Sequence, residues 1–453
     1  MRKFIVLILH LAFALSVNAA DCNVRAFGAK GNGKSIDSKA IQRAIDACTA
    51  SGGGTVTVPA GTYLSATIML KDNVTLNLEE GATILGVTDY KAYSNPDPFT
   101  EGLGIEVGRA LLVAVDANNI GLTGKGVIDG QGSALKARHI AEDNRPEKDR
   151  WGLRPFLFRV VRCNGVKVKD VTLKYAGAWT SHYFQCRNLT IEGVKILSKG
   201  VAHNDGIDID GCRDVSISNC DIESGDDALC FKTTSSKMSC SNIKVSNMRL
   251  KSNQAGIKIG TESMAAFEDI KISDCYIYDT RNGGIKLFSV DGAHLRNIEI
   301  SDIVMDNVRT PMLMRLGARL NVFRKNEDIR QPVGSFENVT IRNVVAAAAD
   351  TAQLTPPSGI LITGIPGHCI TNLTLENIAI TLRGDGGVED AKVQVPEAID
   401  QYPEVKTFGP TIPAYGLWAR HVRNLTLRNV KFLLKNPDAR PEIICEDGDI
   451  RIY

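Results

Sequence analysis

Two short stretches hold most of the residues in this chain that could do chemistry. The first is HNDGIDIDG at residues 203–211, and the second is SGDDALCFK at residues 224–232. Together they carry five aspartates, Asp205, Asp208, Asp210, Asp226 and Asp227. Because like charges repel, crowding raises the pKa of at least one carboxyl, which leaves a protonated acid beside ionised neighbours. A protonated acid next to a carboxylate base is what cleavage of a glycosidic bond requires.

A repeated phrase predicts the elements that must position these aspartates. NLTIEGVKI begins at residue 188, DVSISNCDI at 214, NIKVSNMRL at 242 and DIKISDCYI at 269, at intervals of 26 to 28 residues. Each phrase alternates apolar and polar residues, which is typical of a strand with one buried face. Such a unit cannot bury that face alone, so it must stack on its neighbours. The pattern predicts an all-β protein, a parallel β-helix of about ten coils. Leucine-rich repeats, the alternative of similar period, would need helical segments and a leucine framework.

Two segments depart from the repeat. Residues 38–50, SKAIQRAIDACTA, place their apolar side chains on one stripe, as an amphipathic helix does. This helix should cap the N-terminal end of the solenoid, within a cap of about residues 20–70, because strand edges there would otherwise be unpaired. The segment 383–420 interrupts the repeat and carries four large aromatic residues, so it is either a lateral loop over a groove or a mere insertion. Residues 20–453 are predicted to form a single domain.

The coil length brings lysines towards the aspartates. Asp205 and Asp226 are 21 residues apart, about one coil, so they should lie on adjacent coils near one edge. Lys258 and Lys286 should follow on the next two coils, where their ammonium groups could hold an anionic sugar. Asp208 is a further candidate for substrate binding. Three alternatives remain open, namely aspartates that are simply solvated, oxygens that bind Ca²⁺, and lysines that are ordinary exposed strand residues.

Charge and leader sequence limit the classes of partner and the location. The 53 basic and 51 acidic residues, with a formal net charge of +2, indicate neither a nucleic-acid nor a membrane partner. Residues 1–19 begin with a short basic end, continue with an apolar run and end with small residues. This pattern predicts a signal peptide, and hence an exported protein that is periplasmic or secreted, with a retained anchor as the alternative.

The eleven cysteines permit disulfides, although the odd number leaves at least one thiol free. Most of them lie in apolar strand-like runs, including Cys220, Cys230 and Cys275, where a buried thiol is expected. Their spacing has no metal signature, so neither a metal nor a cofactor is predicted. A monomer is expected.

The two aspartate motifs, NDGID at 204–208 and SGDDAL at 224–229, resemble those of glycoside hydrolase family 28, the polygalacturonases and rhamnogalacturonan hydrolases. The stretches GGGTVTVPAGTYL and WTSH at 179–182 are similar to the same family. The resemblance implies a right-handed β-helix that hydrolyses acidic plant cell-wall polysaccharide of the pectic type with inversion of configuration. It also implies that Asp226 is the general acid, and that Asp205 and Asp227 hold and deprotonate the attacking water.

The chain departs from the pattern of that family at three positions, one of which is His203, where an asparagine usually opens the first motif. Ala255 stands in place of the histidine of Gly-His-Gly, and Gly284 in place of the arginine of Arg-x-Lys. Lys258 or Arg281 could replace the missing cation, and His203 the missing imidazole. These departures favour a variant pectic substrate or an exo-acting mode over endo-polygalacturonase action.

Two alternatives from other classes stay open. A β-helix polysaccharide lyase or uronan epimerase would use carboxylates for Ca²⁺ and a lysine or arginine as base. A non-catalytic carbohydrate-binding β-helix would bind sugar without turnover.

Overall fold

The computed structural model describes residues 20–102 and 104–453, so the predicted signal peptide at residues 1–19 lies outside the described residues. Within the described part, strands pair in parallel with the coil before and the coil after. The exception is a short antiparallel pair, Phe99–Thr100 with Glu106–Val107, which we call the lateral hairpin. The chain therefore winds into a parallel β-helix, which confirms the fold predicted from the repeat.

Three parallel sheets form the walls of the solenoid. Sheet A begins with the strands Ala20–Asn23, Gly54–Val58, Val74–Leu78, Asn118–Gly124, Asn164–Lys169, Arg187–Glu192 and Arg213–Ser218. Sheet B begins with Asn32–Ile36, Gly61–Ser65, Ala82–Gly86, Val127–Asp129, Thr172–Lys174, Lys195–Ser198 and Asp221–Ser224. Longer strands then run through both sheets, namely Cys240–Ser252, Phe267–Tyr278, His294–Val308, Ser335–Ala348 and Ile370–Leu382.

Sheet C carries the aspartate motifs. Its strands are Ile68–Leu70, Ala110–Val115, Phe156–Val161, Ser181–Phe184, Ile207–Asp210, Leu229–Thr233, Ala255–Ser263, Gly283–Ser289, Met312–Leu316 and Ile360–Thr363. The strand Leu417–Leu434 passes through all three sheets, and Ile443–Ile452 pairs with it at the C-terminal end.

The core consists of apolar side chains that stack from coil to coil. In sheet A, the register aligns Val166, Leu189, Val215, Ile243 and Ile270 in one column, and each is at most 3% exposed. Because every coil contributes to the same column, burial is continuous along the solenoid although no single coil could supply it.

Asparagine ladders mark the turns between sheets. Asn219 and Asn247 both adopt left-handed backbone conformations, with φ of 59° and 54°. Asn and Asp tolerate this conformation better than other residues with a side chain. The Asn247 amide also donates to Oδ1 of Asn219 in the preceding coil at 2.7 Å. The asparagines at the sixth position of the repeated phrases thus have a structural role.

A helix covers the N-terminal end, as predicted. It spans Ser38–Ala50, buries Ile41, Ala44, Ile45 and Cys48 completely, and packs against the first strands of sheet A. The other helices, Gly132–Glu142 and Glu147–Trp151, and the 3₁₀ turns Val24–Phe27, Tyr90–Ala92, Asp390–Lys392 and Val405–Phe408 lie in connections. Among the described residues, no helix is long and apolar enough to cross a membrane.

All eleven cysteines lie in the described residues, and all are free thiols. Eight are buried, among them Cys220, Cys230 and Cys275, for which burial was expected. The β-helix is therefore held together by its stacked core and strand ladders.

Candidate active site

The aspartate motifs lie where two consecutive strands of sheet C begin. Ile207 pairs with Leu229, so this coil is 22 residues long and places Asp205 beside Asp227. The backbone N–H of Gly206 donates to the carbonyl of Asp227 at 2.8 Å. The two motifs thus lie on adjacent coils, and the register aligns Asp205 with Asp227 and not with Asp226.

The outer face of sheet C is buried, in contrast to the possibility that its aspartates are solvated. Asp205, Asp208, Asp210 and Asp227 are at most 3% exposed. Strict alternation does point the side chains of Asp208 and Asp210 away from the core. However, two segments that lie outside the solenoid cover the outer face of sheet C. The sequence pattern of a single strand cannot show such a cover, because the covering residues are distant along the chain.

One cover is the lateral hairpin, which charged residues hold against sheet C. Just before it, Asp97 accepts from Arg159 at 2.8 Å, from Arg162 at 2.7 Å and from Arg324 at 3.2 Å. Arg159 is fully buried, and burial lowers its pKa to about 10, so it remains charged and needs this carboxylate partner.

The other cover is the run of residues 383–416 between two strands, which we call the lateral segment. It packs on the outer face of sheet C through a second apolar cluster, which includes Phe288, Leu313, Leu361 and Trp418 from the sheet and Val405, Phe408 and Ile412 from the segment. Residues of this segment also line a cavity on the outer face of sheet C, as expected of a lateral loop over a groove.

A cavity of about 550 Å³ lies between the two covers and sheet C. Sheet C and its turns contribute Trp179, His203, Asp205, Asp226, Asp227, Lys232, Gln254, Lys258, Glu262 and Asn282. The hairpin side contributes Glu101 and Gly102, the lateral segment contributes Tyr402, Glu404, Lys406 and Thr407, and Gln353 also lines the cavity.

The surroundings of Asp226 favour its protonated form. Burial, and then the carboxylates of Asp205 and Asp227, raise the pKa of Asp226 well above its ordinary value. Its backbone is fixed, because its carbonyl accepts from the hydroxyls of Ser224 and Ser252 at 2.5 Å each. Asp226 thus presents an acidic proton at the cavity wall.

Asp227 is held in the ionised form. Burial alone would raise the pKa of Asp227, but the ammonium groups of Lys258, Lys232 and Lys286 outweigh it and lower the pKa below its ordinary value. Lys258 donates to Oδ2 at 2.7 Å, and the backbone N–H of Ala255 donates to Oδ1 at 3.0 Å. A protonated carboxyl and an ionised one therefore stand side by side in the chain, which is the arrangement that acid–base catalysis uses.

Lys232 connects the other carboxylates of the site. Its ammonium lies 3.3 Å from Asp205, 3.5 Å from Asp208 and 3.4 Å from Glu262. Burial raises the pKa of Asp205, and burial together with Asp205 raises that of Asp208 well above its ordinary value. Asp208 is not among the cavity-lining residues.

Sequence reasoning missed Lys232, Glu262 and Tyr402. Lys232 ends the second aspartate motif, so its position there was an available signal. Glu262 has a pKa of about 2, because Lys232 and Arg319 outweigh the effect of its burial. Tyr402 lies in the aromatic-rich insertion, and its hydroxyl accepts from Thr261 Oγ1 at 2.9 Å.

The remaining predicted residues are only partly brought together. His203 lines the cavity, packs on Trp151 with a ring-centroid distance of 4.6 Å, and is neutral because burial and the cation of Arg154 lower its pKa to about 4. Arg281 is exposed and does not line the cavity. Lys286 is buried behind the cavity wall and donates to Glu404 at 2.6 Å.

One group of side chains has the geometry of a metal site. Ligand atoms of Asp205, Asp227 and Cys230 lie within 4.8 Å of one another. Lys258 and Lys232 already place ammonium groups against the two carboxylates, so a bound cation would have to displace them. The site therefore has internal cations where a calcium ion would bind.

Comparisons with known proteins agree with this geometry. A family model described as glycosyl hydrolases family 28 matches residues 48–398. A polygalacturonase of Gossypium hirsutum is 28% identical over 359 residues, which cover 76% of this chain and 81% of the relative.

Solved structures are similar in fold. A family 28 exopolygalacturonase of Yersinia enterocolitica superposes with a TM-score of 0.77 at 20% identity, over 96% of this chain and 78% of that one. A hyperthermoactive exopolygalacturonase of Thermotoga maritima gives a TM-score of 0.65 at 24% identity, over 80% of this chain and 87% of the other. The fold is a right-handed parallel β-helix, as predicted.

Proposed function

The chain belongs to glycosyl hydrolases family 28 and is a glycoside hydrolase, and from that premise we propose that it cleaves glycosidic bonds in pectic polysaccharide of the galacturonan or rhamnogalacturonan type. The observation that carries the proposal is the pairing of Asp226, whose pKa is raised, with Asp227, whose pKa is lowered, at the wall of one cavity.

Asp226 acts as the general acid. It transfers its proton to the glycosidic oxygen as the bond from that oxygen to the anomeric carbon breaks, so the leaving sugar departs as an alcohol. The raised pKa supports this role because a carboxyl that were ionised at working pH would have no proton to transfer.

Asp227 and Asp205 act on the attacking water. Asp227 accepts a proton from the water as its oxygen bonds to the anomeric carbon from the face opposite the leaving oxygen, which inverts the configuration. Asp205 lies beside Asp227 on the neighbouring coil and can hold the same water. Lys258 keeps the base ionised before the water arrives.

We also propose that the protein is exported as a monomer, with residues 1–19 removed on the way to the periplasm or the medium. The basic end, the apolar run and the small residues before Asp21 support this location. N-terminal sequencing of the protein secreted by its own host, together with its mass in solution, tests both points.

Product analysis tests the activity. The wild-type protein and Asp226→Asn are incubated with homogalacturonan and with rhamnogalacturonan backbone, with and without chelator. We expect new reducing ends of inverted configuration by NMR, without ultraviolet absorbance and without chelator sensitivity. Asp226→Asn should lose at least about 10²-fold in rate, the low end for general acid–base catalysis.

Other outcomes would contradict the proposal in different ways. Ultraviolet-absorbing products that disappear with chelator would show a lyase. A fully active Asp226→Asn would remove the acid from Asp226, and sugar binding without turnover would show a binding protein.

A further inference from the structure

Each lysine of sheet C near the cavity already has a carboxylate of this chain as its partner. Lys258 lies 2.7 Å from Asp227, and Lys232 lies within 3.5 Å of three carboxylates. Lys286 lies 2.6 Å from Glu404. All three are buried, so none presents a free ammonium group to an incoming sugar carboxylate.

Glu404 neutralises the ammonium group of Lys286 at one corner of the cavity. Its Oε2 accepts from Lys286 at 2.6 Å and from the amide of Asn282 at 2.7 Å, and Asn282 also donates to Gln254 at 2.5 Å. Glu404, Asn282 and Gln254 line the cavity, whereas Lys286 does not. A ligand in this corner therefore meets one carboxylate and two amides, with the lysine behind them.

The rest of the lining carries both signs of charge. Besides Glu404, the carboxyls at the wall are those of Glu101, Asp205, Asp226, Asp227 and Glu262, and Lys232 and Lys258 lie among them. Lys406 is the cavity-lining lysine that has no ion pair in the described part of the chain, and it is exposed. The cations beside Asp227 and Glu262 lower the pKa of both carboxyls despite their burial, so the positive field there contrasts with the corner of Glu404, where a carboxylate faces the ligand.

We propose that the corner formed by Gln254, Asn282 and Glu404 is a subsite for a neutral sugar, with Glu404 as the residue that determines this specificity. The inference rests on the proposed function and goes beyond it by naming the class of sugar in one position. Hydroxyl groups of a neutral sugar can donate to Glu404 and bond to the two amides. A uronate there would place its carboxylate against Glu404, and such like-charge contacts reject a ligand.

The first test compares two ligands that differ only in charge. Binding of α-1,4-linked galactotriose and of trigalacturonate is measured by calorimetry at low salt in an Asp226→Asn background, so that neither ligand is cleaved during the titration. We expect the neutral trimer to bind at least as tightly as the acidic one, because a uronate in contact with Glu404 loses binding free energy at that one position. Tighter binding of trigalacturonate, or no binding of the neutral trimer, would overturn the proposal.

The second test removes the charge of Glu404. Glu404→Gln keeps the shape and releases Lys286, so the affinity for trigalacturonate relative to galactotriose should rise at least about tenfold. Glu389→Gln is the matched control, because Glu389 lies in the same lateral segment but pairs with Lys392 on the surface. It should leave the ratio unchanged. An unchanged ratio in Glu404→Gln would overturn the role of Glu404.

A double variant controls for the possibility that Glu404→Gln alone misfolds. Glu404→Gln with Lys286→Met removes both charges of the buried pair, and its affinity ratio should lie between those of the parent Asp226→Asn protein and Glu404→Gln. A ratio equal to that of the parent protein would argue against the proposal. These measurements need no turnover, so they are independent of the product analysis that tests the proposed function.

Discussion

Lys258 donates from Nζ to Oδ2 of Asp227 at 2.7 Å, and both side chains are almost fully buried. The two residues lie on neighbouring coils, because Lys258 pairs in the sheet with Cys230, three residues after Asp227. A buried ion pair of this kind contributes little net stability, but the loss of one partner leaves the other charge without compensation. The pair therefore sets the charge state of the proposed base.

Lys258→Met should lower both stability and activity. Loss of the ammonium leaves Asp227 buried without its closest cation, which should cost about 3 kcal/mol of unfolding free energy. The pKa of Asp227 should rise, so the acid limb of the activity profile should move to higher pH. Urea unfolding and kcat/KM against pH measure the two effects. Lys258→Arg should retain most of the stability and of the activity. Lys251→Met, which breaks the more exposed ion pair with Asp279, should lower the free energy of unfolding by less than about 1 kcal/mol.

The wild-type activity should follow a bell-shaped pH profile. Asp227, whose pKa is lowered by its lysines, must be ionised, so activity should fall only in strongly acidic solution. Asp226, whose pKa is raised by burial and by Asp205 and Asp227, must be protonated, so activity should fall as the pH rises through that value. Measurement of kcat/KM from pH 2 to 9 checks both limbs. A profile without a basic limb would speak against Asp226 as the acid.

Asp226→Asn should leave the protein at least as stable as the wild type at neutral pH. The pKa of Asp226 is higher in the folded state than in the unfolded state. Its contribution to the free energy of unfolding is therefore fully present below the pKa of the unfolded state, and it is lost as the pH rises through the pKa of the folded state. Asparagine cannot ionise, so the variant does not lose this stability as the pH rises. Its side-chain oxygen can still accept the hydrogen bond from the backbone N–H of Asp227. Calorimetry should give a Tm at pH 7 equal to or above that of the wild type, with a smaller difference at pH 3. A clearly lower Tm at pH 7 would contradict the raised pKa.

Asn247→Ala should destabilise the solenoid although Asn247 is exposed. Its left-handed backbone costs alanine about 1–2 kcal/mol, and the hydrogen bond to Asn219 is lost as well. Asn247→Gly loses the same bond but adopts the backbone freely, so it should cost less. Urea denaturation of both variants checks the order. If Asn247→Gly lowered the free energy of unfolding as much as Asn247→Ala, the hydrogen bond of the asparagine ladder, and not the left-handed backbone, would be the main source of stability at this position.

The alternation of the repeated phrases is a local property of the chain, and it was sufficient to predict the β-helix and its N-terminal helix, Ser38–Ala50. The same local pattern located Asp205, Asp226 and Asp227, because their spacing is close to one coil. It could not determine which aspartates are neighbours, since a one-residue difference in coil length changes the pairing from Asp226 to Asp227.

The sequence by itself thus determined the solenoid, the cluster of aspartates and the family to which they belong, since all three follow from order along the chain. Tertiary structure decided the charge of the site. The lateral segment brings Glu404 to Lys286 across 118 residues, and the turn of one coil brings Lys232 under Asp205. Burial by these covers, together with the paired lysines, separates the pKa values of Asp226 and Asp227. Such shifts depend on distances between residues far apart in sequence, and only the folded chain defines those distances.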